Sequence, residues 1–182
     1  MGFSISWIAV SGKAKADILK SLSLVDTTEP DEANESSISG AELPGGEYIL
    51  FLNDHNHPYV QLPLVQRLSG GCKLLVCQVE EHVMVSEATM YENGARTWRV
   101  THESERGIYD LQTEGMLPPS LNAIQAEMKE CQDAAGGVNA DVDYLFDVPV
   151  MLAASICGYR HDRVALASGE EPKFTVLVRT GD

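Results

Sequence analysis

No stretch of this 182-residue chain is apolar for long enough to cross a bilayer, and basic residues are scarce: 13 lysines and arginines stand against 27 acidic residues, a formal net charge of −14. The first absence predicts that nothing in the chain spans a membrane as a helix, which takes about 20 consecutive apolar residues. The second makes the chain repel phosphate backbones and anionic lipid surfaces, so neither a nucleic acid nor a membrane is expected as a partner. Cysteine is sparse as well. Cys72, Cys77, Cys131 and Cys157 show no paired spacing of the zinc type. Cys72 and Cys77 lie an odd number of residues apart on one apolar run, so they point to opposite faces of a strand and cannot bridge. Unbridged thiols in apolar surroundings fit a reducing compartment. The start of the sequence has neither the basic region nor the apolar core of a secretory leader. A soluble, cytoplasmic protein is therefore expected.

Several catalytic and cofactor signatures are missing too. There is no Gly-x-Ser-x-Gly elbow and no dinucleotide fingerprint. Val10-Ser11-Gly12-Lys13 places Gly-Lys between a strand and a helix, but the first glycine of a phosphate loop is absent and Ala14 replaces its metal-binding hydroxyl. Asp141, Asp143 and Asp147 hint at a calcium loop, yet Phe146 and Leu152 stand where glycine and glutamate are required. No cofactor and no resident metal are expected on these grounds.

What is present is an ordinary globular composition, 44% hydrophobic and 22% charged, in a chain long enough for one domain with a real core. Residues 74–79 are almost continuously apolar, and residues 48–52 have the same character. Such runs read as strands buried on both faces. Between them, residues 58–68 carry a helical stripe of Val60, Leu64, Val65 and Leu68, interrupted by Pro63. Strand, helix and strand at this spacing predict a βαβ unit with two parallel strands. The carboxyl ends of both strands then share one edge, where Asp54, His55 and His57 would face Glu80, Glu81 and His82. Open sheets bind ligands at such edges.

Ahead of this unit, Phe3, Ile5 and Trp7 alternate with serines, a strand with one buried face. Beyond it, Asn93-Gly94 between two alternating runs predicts a type I′ hairpin. Pairing outward puts Tyr91 opposite Arg96, Thr89 opposite Trp98, Glu87 opposite Val100 and Val85 opposite His102, with Val83, Val85, Tyr91, Trp98 and Val100 on the core face. A third run at 108–113 completes an antiparallel meander. A helix is expected over 120–135, a buried helix over 148–157 capped by Asp147, and a last strand over 173–179. Residues 26–47 hold seven acids, no lysine or arginine and few core-forming side chains, which predicts a mobile acidic loop at about 26–46. The expected fold is one α+β domain over residues 1–182: a mixed sheet with a parallel βαβ core and an antiparallel meander, helices mostly on one face.

All five histidines lie within three residues of a carboxylate. Imidazole with carboxylate is the material of zinc, manganese and iron sites and of general bases, so Asp54, His55, His57, Glu80, Glu81 and His82 form a candidate ligand edge. The same residues also suit turns and caps. His102 on the hairpin reads as a hydrogen-bonded core histidine, and Arg160 as the partner of nearby acids.

Residues 2–10, 53–58, 77–85 and 143–162 together resemble an uncharacterised bacterial family of small acidic cytosolic proteins. The resemblance covers most of the chain and implies no activity. In size and charge the chain is also similar to immunity partners of secreted toxins, an analogy of class alone. The leading expectation is a cytosolic interaction module that binds a cationic protein through an acidic surface at Glu29, Asp31, Glu32 and Glu35. A small metal-assisted hydrolase at the His/carboxylate edge is the alternative, and a structural subunit of a larger assembly is a third.

Overall fold

The structure is a computed structural model and describes residues 2–181. In chain order the elements are β1 (Ser4–Ser11), α1 (Lys15–Leu22), β2 (Leu24–Pro30), β3 (Ile38–Glu42), β4 (Tyr48–Leu52), α2 (Leu64–Leu68), β5 (Lys73–Glu80), β6 (Val85–Glu92), β7 (Ala95–Glu103), β8 (Gln112–Gly115), α3 (Ser120–Ala135), α4 (Asp147–Cys157) and β9 (Thr175–Arg179). Among the described residues the strands form one nine-stranded sheet in the order β2-β9-β3-β4-β1-β5-β6-β7-β8. Every neighbouring pair is antiparallel, so the expected parallel βαβ core does not form.

The reason lies in β1. Its alternating serines conceal a strand buried on both faces: Ile5, Trp7 and Ala9 join one core cluster, Ile8 and Val10 the other. Ser6 is fully buried, and its hydroxyl lies 2.7 Å and 2.8 Å from the carbonyl oxygens of Asp54 and His55. A strand apolar on both sides belongs at the centre of a covered sheet. β4 pairs with one edge of β1 and β5 with the other, each antiparallel. The two strands therefore do run in the same direction, but as second neighbours across β1. The connection between them also differs from one long helix: a single 3-10 turn, Pro58–Val60, precedes the short α2, with the cis Leu62–Pro63 bond between them.

Helices cover both faces of the sheet rather than mostly one. α3 and α4 pack over the cluster of Trp7, Cys77 and Val100, through Leu121, Met128, Val148, Leu152 and their neighbours. α1 and α2 pack over Ile8, Leu50 and Leu74 through Ile18, Leu22, Val65 and Leu68. The Asn93-Gly94 turn is as expected, both residues having positive φ (51° and 83°), and Tyr91 faces Arg96. A bulge between Met90 and Tyr91 then shifts the register, so Met90 faces Trp98, Ala88 faces Val100 and Ser86 faces His102. Tyr91 thus belongs to the face opposite Trp98 and Val100, and Val83 is 62% exposed.

The acidic segment is strand over about half its length, at 26–30 and 38–42, and loop between and after these. Residues 26–30 continue β2, and Ile38–Glu42 is β3, hydrogen-bonded to both β4 and β9. Its partner β9 comes from the far end of the chain, a pairing that local composition does not reveal.

Candidate functional site

The residues of the expected His/carboxylate edge serve as local clasps. His55 offers its carbonyl oxygen to Ser6 and also to the Gln78 side-chain amide at 2.7 Å. The Asp54 carboxylate accepts the Asn56 N–H at 2.9 Å, an Asx turn. His57 is buried, and its Nδ1 accepts the Tyr59 N–H at 3.1 Å, capping the 3-10 turn. Burial, opposed by the Asp54 charge, holds its imidazole below the usual histidine range and so in the neutral form this cap needs. Glu80 accepts from the Ser4 hydroxyl at 2.5 Å, and from the His82 N–H and Nδ1 at 3.1 and 2.6 Å; with the Ser4 bond foremost, these hold its carboxyl down at about 2. The Glu81 carboxylate accepts the Phe3 N–H at 2.9 Å. Among the described residues no three His, Cys, Asp or Glu side chains converge as metal ligands would.

The proposed acidic surface divides. Glu29, Glu32 and Glu35 are exposed. Asp31 is buried (7% exposed), and its carboxylate accepts the N–H groups of Glu35 and Ser36 at 2.9 and 3.2 Å, folding the link between β2 and β3. Asp31 is thus an internal clasp rather than part of a surface.

His102, Ser104 and Asp143 form a second polar cluster. His102 is fully buried; its Nδ1–H donates to the Asp110 carbonyl at 2.6 Å, and Nε2 lies 2.8 Å from Asp143 Oδ2. The Ser104 hydroxyl donates to the same Asp143 oxygen. In a nucleophilic triad the imidazole stands between hydroxyl and carboxylate and takes the hydroxyl proton. Here serine and histidine both point at one carboxylate oxygen, so the cluster fastens β7 to the segment before α4. Arg160 has a comparable task, with Asp147 at 3.0 Å and Asp162 at 2.6 Å.

A larger concavity than either cluster encloses lies elsewhere among the described residues. A cleft of about 870 Å³ is formed by four separate segments: the start of β1, the β2–β3 link, the chain after α4 and the chain before β9. Its volume falls within the ~300–1,000 Å³ of ligand sites. Phe3, Tyr159 and Phe174 supply apolar walls. Tyr159 meets Trp7 edge-on at 5.2 Å and tilts against Phe174 at 5.7 Å, while Phe3 meets His161 edge-on at 4.8 Å. The Asp31 N–H donates to the Phe174 carbonyl at 3.0 Å, tying two walls together, and Glu81 fixes the Phe3 backbone at a third. Glu32, Asp162 and Glu171 also line the cleft, as do Arg163 and Lys173. The Tyr159 hydroxyl and His161 Nδ1 are buried and, among the described residues, have no hydrogen-bond partner. Burial, set against the Asp162 charge, pushes the His161 imidazole down, so it is neutral.

The residue pattern gives little sign of this cleft. Tyr159-Arg160-His161-Asp162 draws attention for its arginine, whereas Phe3 and Phe174 are isolated aromatics from opposite ends of the sequence. No protein-family description, no curated protein and no solved structure matches the chain.

Proposed function

We propose that this chain is a cytoplasmic interaction module that binds a cationic protein through the acidic surface at Glu29, Glu32 and Glu35, a role suited to an inhibitor or immunity protein. One observation carries the reading: these three carboxylates are exposed on β2 and the link after it, and among the described residues none is in an ion pair. With a net charge of −14 behind them, they sit in a negative field that accelerates encounter with a positive surface. Four free cysteines, two of them buried, support the reducing cytoplasm as the place of action. No helix among the described residues is long and apolar enough to cross a membrane.

A hexa-arginine peptide is a suitable probe. Binding at low salt should weaken at least tenfold as ionic strength rises from about 0.05 to about 0.3 M, where the screening length falls below 10 Å. The triple variant Glu29→Gln/Glu32→Gln/Glu35→Gln should weaken it at low salt, and Glu127→Gln/Glu130→Gln on α3 should not. Absence of binding, indifference to salt, or equal losses in both variants would overturn the reading.

A further inference from the structure

The cleft beside the acidic surface has a composition that suits one kind of group. We infer that it receives an arginine side chain of the cationic partner, an inference that rests on the acidic-module reading above. A guanidinium is planar and weakly hydrated, stacks on aromatic faces, and carries five N–H donors with no acceptor. The cleft supplies the complement of each property. Phe3, 39% exposed, provides an open ring surface, held edge-on against His161 and by the Glu81 clasp on its N–H, with the buried Tyr159 and Phe174 completing the apolar lining. Glu32 and Glu171 provide exposed carboxylates that, among the described residues, are in no ion pair. The Tyr159 oxygen and the neutral His161 ring add acceptor capacity in a wall where two buried polar atoms lack partners among the described residues. A buried polar atom left unpaired is destabilising, so a multidentate donor gains by meeting either one.

Two cations share the lining, Arg163 and Lys173. Of the three acids, Asp162 is already committed to Arg160 at 2.6 Å. The remaining rim charges, Glu32 and Glu171 against Arg163 and Lys173, cancel formally. The sign of the potential in the cleft is then set by the rest of the molecule, which is strongly negative. Glu29 and Glu35, on the same segment as Glu32, add to it. An anion held by Arg163 and Lys173 is the competing occupant.

Calorimetric titration of the full chain with hexa-arginine, hexa-lysine and hexa-glutamate peptides separates these cases. The arginine peptide should bind about threefold or more tighter than the lysine peptide of equal charge, because only the guanidinium stacks and forks. Phe3→Ala should weaken arginine-peptide binding about tenfold and Glu171→Gln several-fold, with circular dichroism unchanged since both side chains are at the surface. Equal affinity for the two cationic peptides, or binding untouched by Phe3→Ala and Glu171→Gln, would overturn the cleft as the arginine site while leaving the acidic-module reading standing. Preference for hexa-glutamate would overturn it in favour of an anion. Failure of wild type to bind hexa-arginine at low salt would remove both.

Discussion

Asp143 and His102 make up the most consequential buried pair in the molecule, with the histidine fully inaccessible and the Asp143 side chain 8% exposed. For His102, burial lowers the pKa, but the hydrogen bonds to Asp143 and the Asp110 carbonyl outweigh it, and the net shift is upward. For Asp143, burial raises the pKa, while the bonds from His102 and Ser104 outweigh it, and the net shift is downward. The two shifts describe one coupling. A raised histidine contributes stability that is complete below its unfolded value of about 6.5 and is lost as pH climbs through the folded value. A lowered carboxyl contributes stability that is complete above about 3.9 and is lost as pH falls through the folded value. The pair therefore stabilises most between about pH 4 and pH 6.5. Removing one partner of a buried pair costs about 3–5 kcal/mol. Asp143→Asn should thus destabilise by about 3 kcal/mol near pH 5 and by less at high pH, as read from urea unfolding at both. A loss that does not vary with pH would mean the aspartate acts through packing and neutral hydrogen bonds alone.

Among the elements, the segment joining β2 to β3 is the one whose behaviour departs most from its composition. β3 is paired on both sides and buried from Ile38 to Ala41, whereas β2 is an edge strand, exposed over most of its length. Hydrogen exchange should find the amides of β3 strongly protected and those of residues 32 and 33 fast. The amides of Glu35 and Ser36 should be slowed by the Asp31 carboxylate that accepts them. Asp31→Ala removes that acceptor; hydrogen bonds to a charged group contribute about 1.5–3 kcal/mol, so protection at residues 35 and 36 should fall while β3 keeps its own. Fast exchange across β3 in the wild type would show that the strand is not formed in solution.

Across the whole molecule, charge works against compactness. A chain with 27 acidic and 13 basic residues repels itself when folded, and salt relieves that repulsion. Several ion pairs oppose this, including Arg99 with Glu87 at 2.5 Å and Lys129 with Asp133 at 2.6 Å, but these lie at least partly in solvent and are individually weak. The melting temperature should therefore rise as sodium chloride goes from about 0.01 to about 0.3 M, where the screening length shrinks from about 30 Å to below 10 Å. A falling melting temperature would mean that the ion pairs outweigh the net repulsion.

Much of this was determined by the sequence alone, wherever the deciding interaction is local. The Asn-Gly turn, the helix at Ser120–Ala135, the buried runs at β4 and β5 and the punctuation near Pro63 follow from turn chemistry, periodicity and backbone restriction. His102 as a hydrogen-bonded core residue and Arg160 as a partner of acids were legible in the same way. Only the tertiary structure decided what depends on distant partners. β1 entering between β4 and β5 turned an expected parallel pair into second neighbours, and β9 arriving from the other end of the chain made strand of an acidic stretch. One bulged residue moved Tyr91 to the other face, since the side-chain period of a strand is two. Of the six residues of the predicted edge, Asp54, His57, Glu80, Glu81 and His82 have side chains taken up by nearby backbone or side-chain groups, and His55 is held through its carbonyl. Phe3, Tyr159, His161 and Phe174 form a cleft because the two ends of the chain meet, and composition at any single stretch carries no trace of such a meeting.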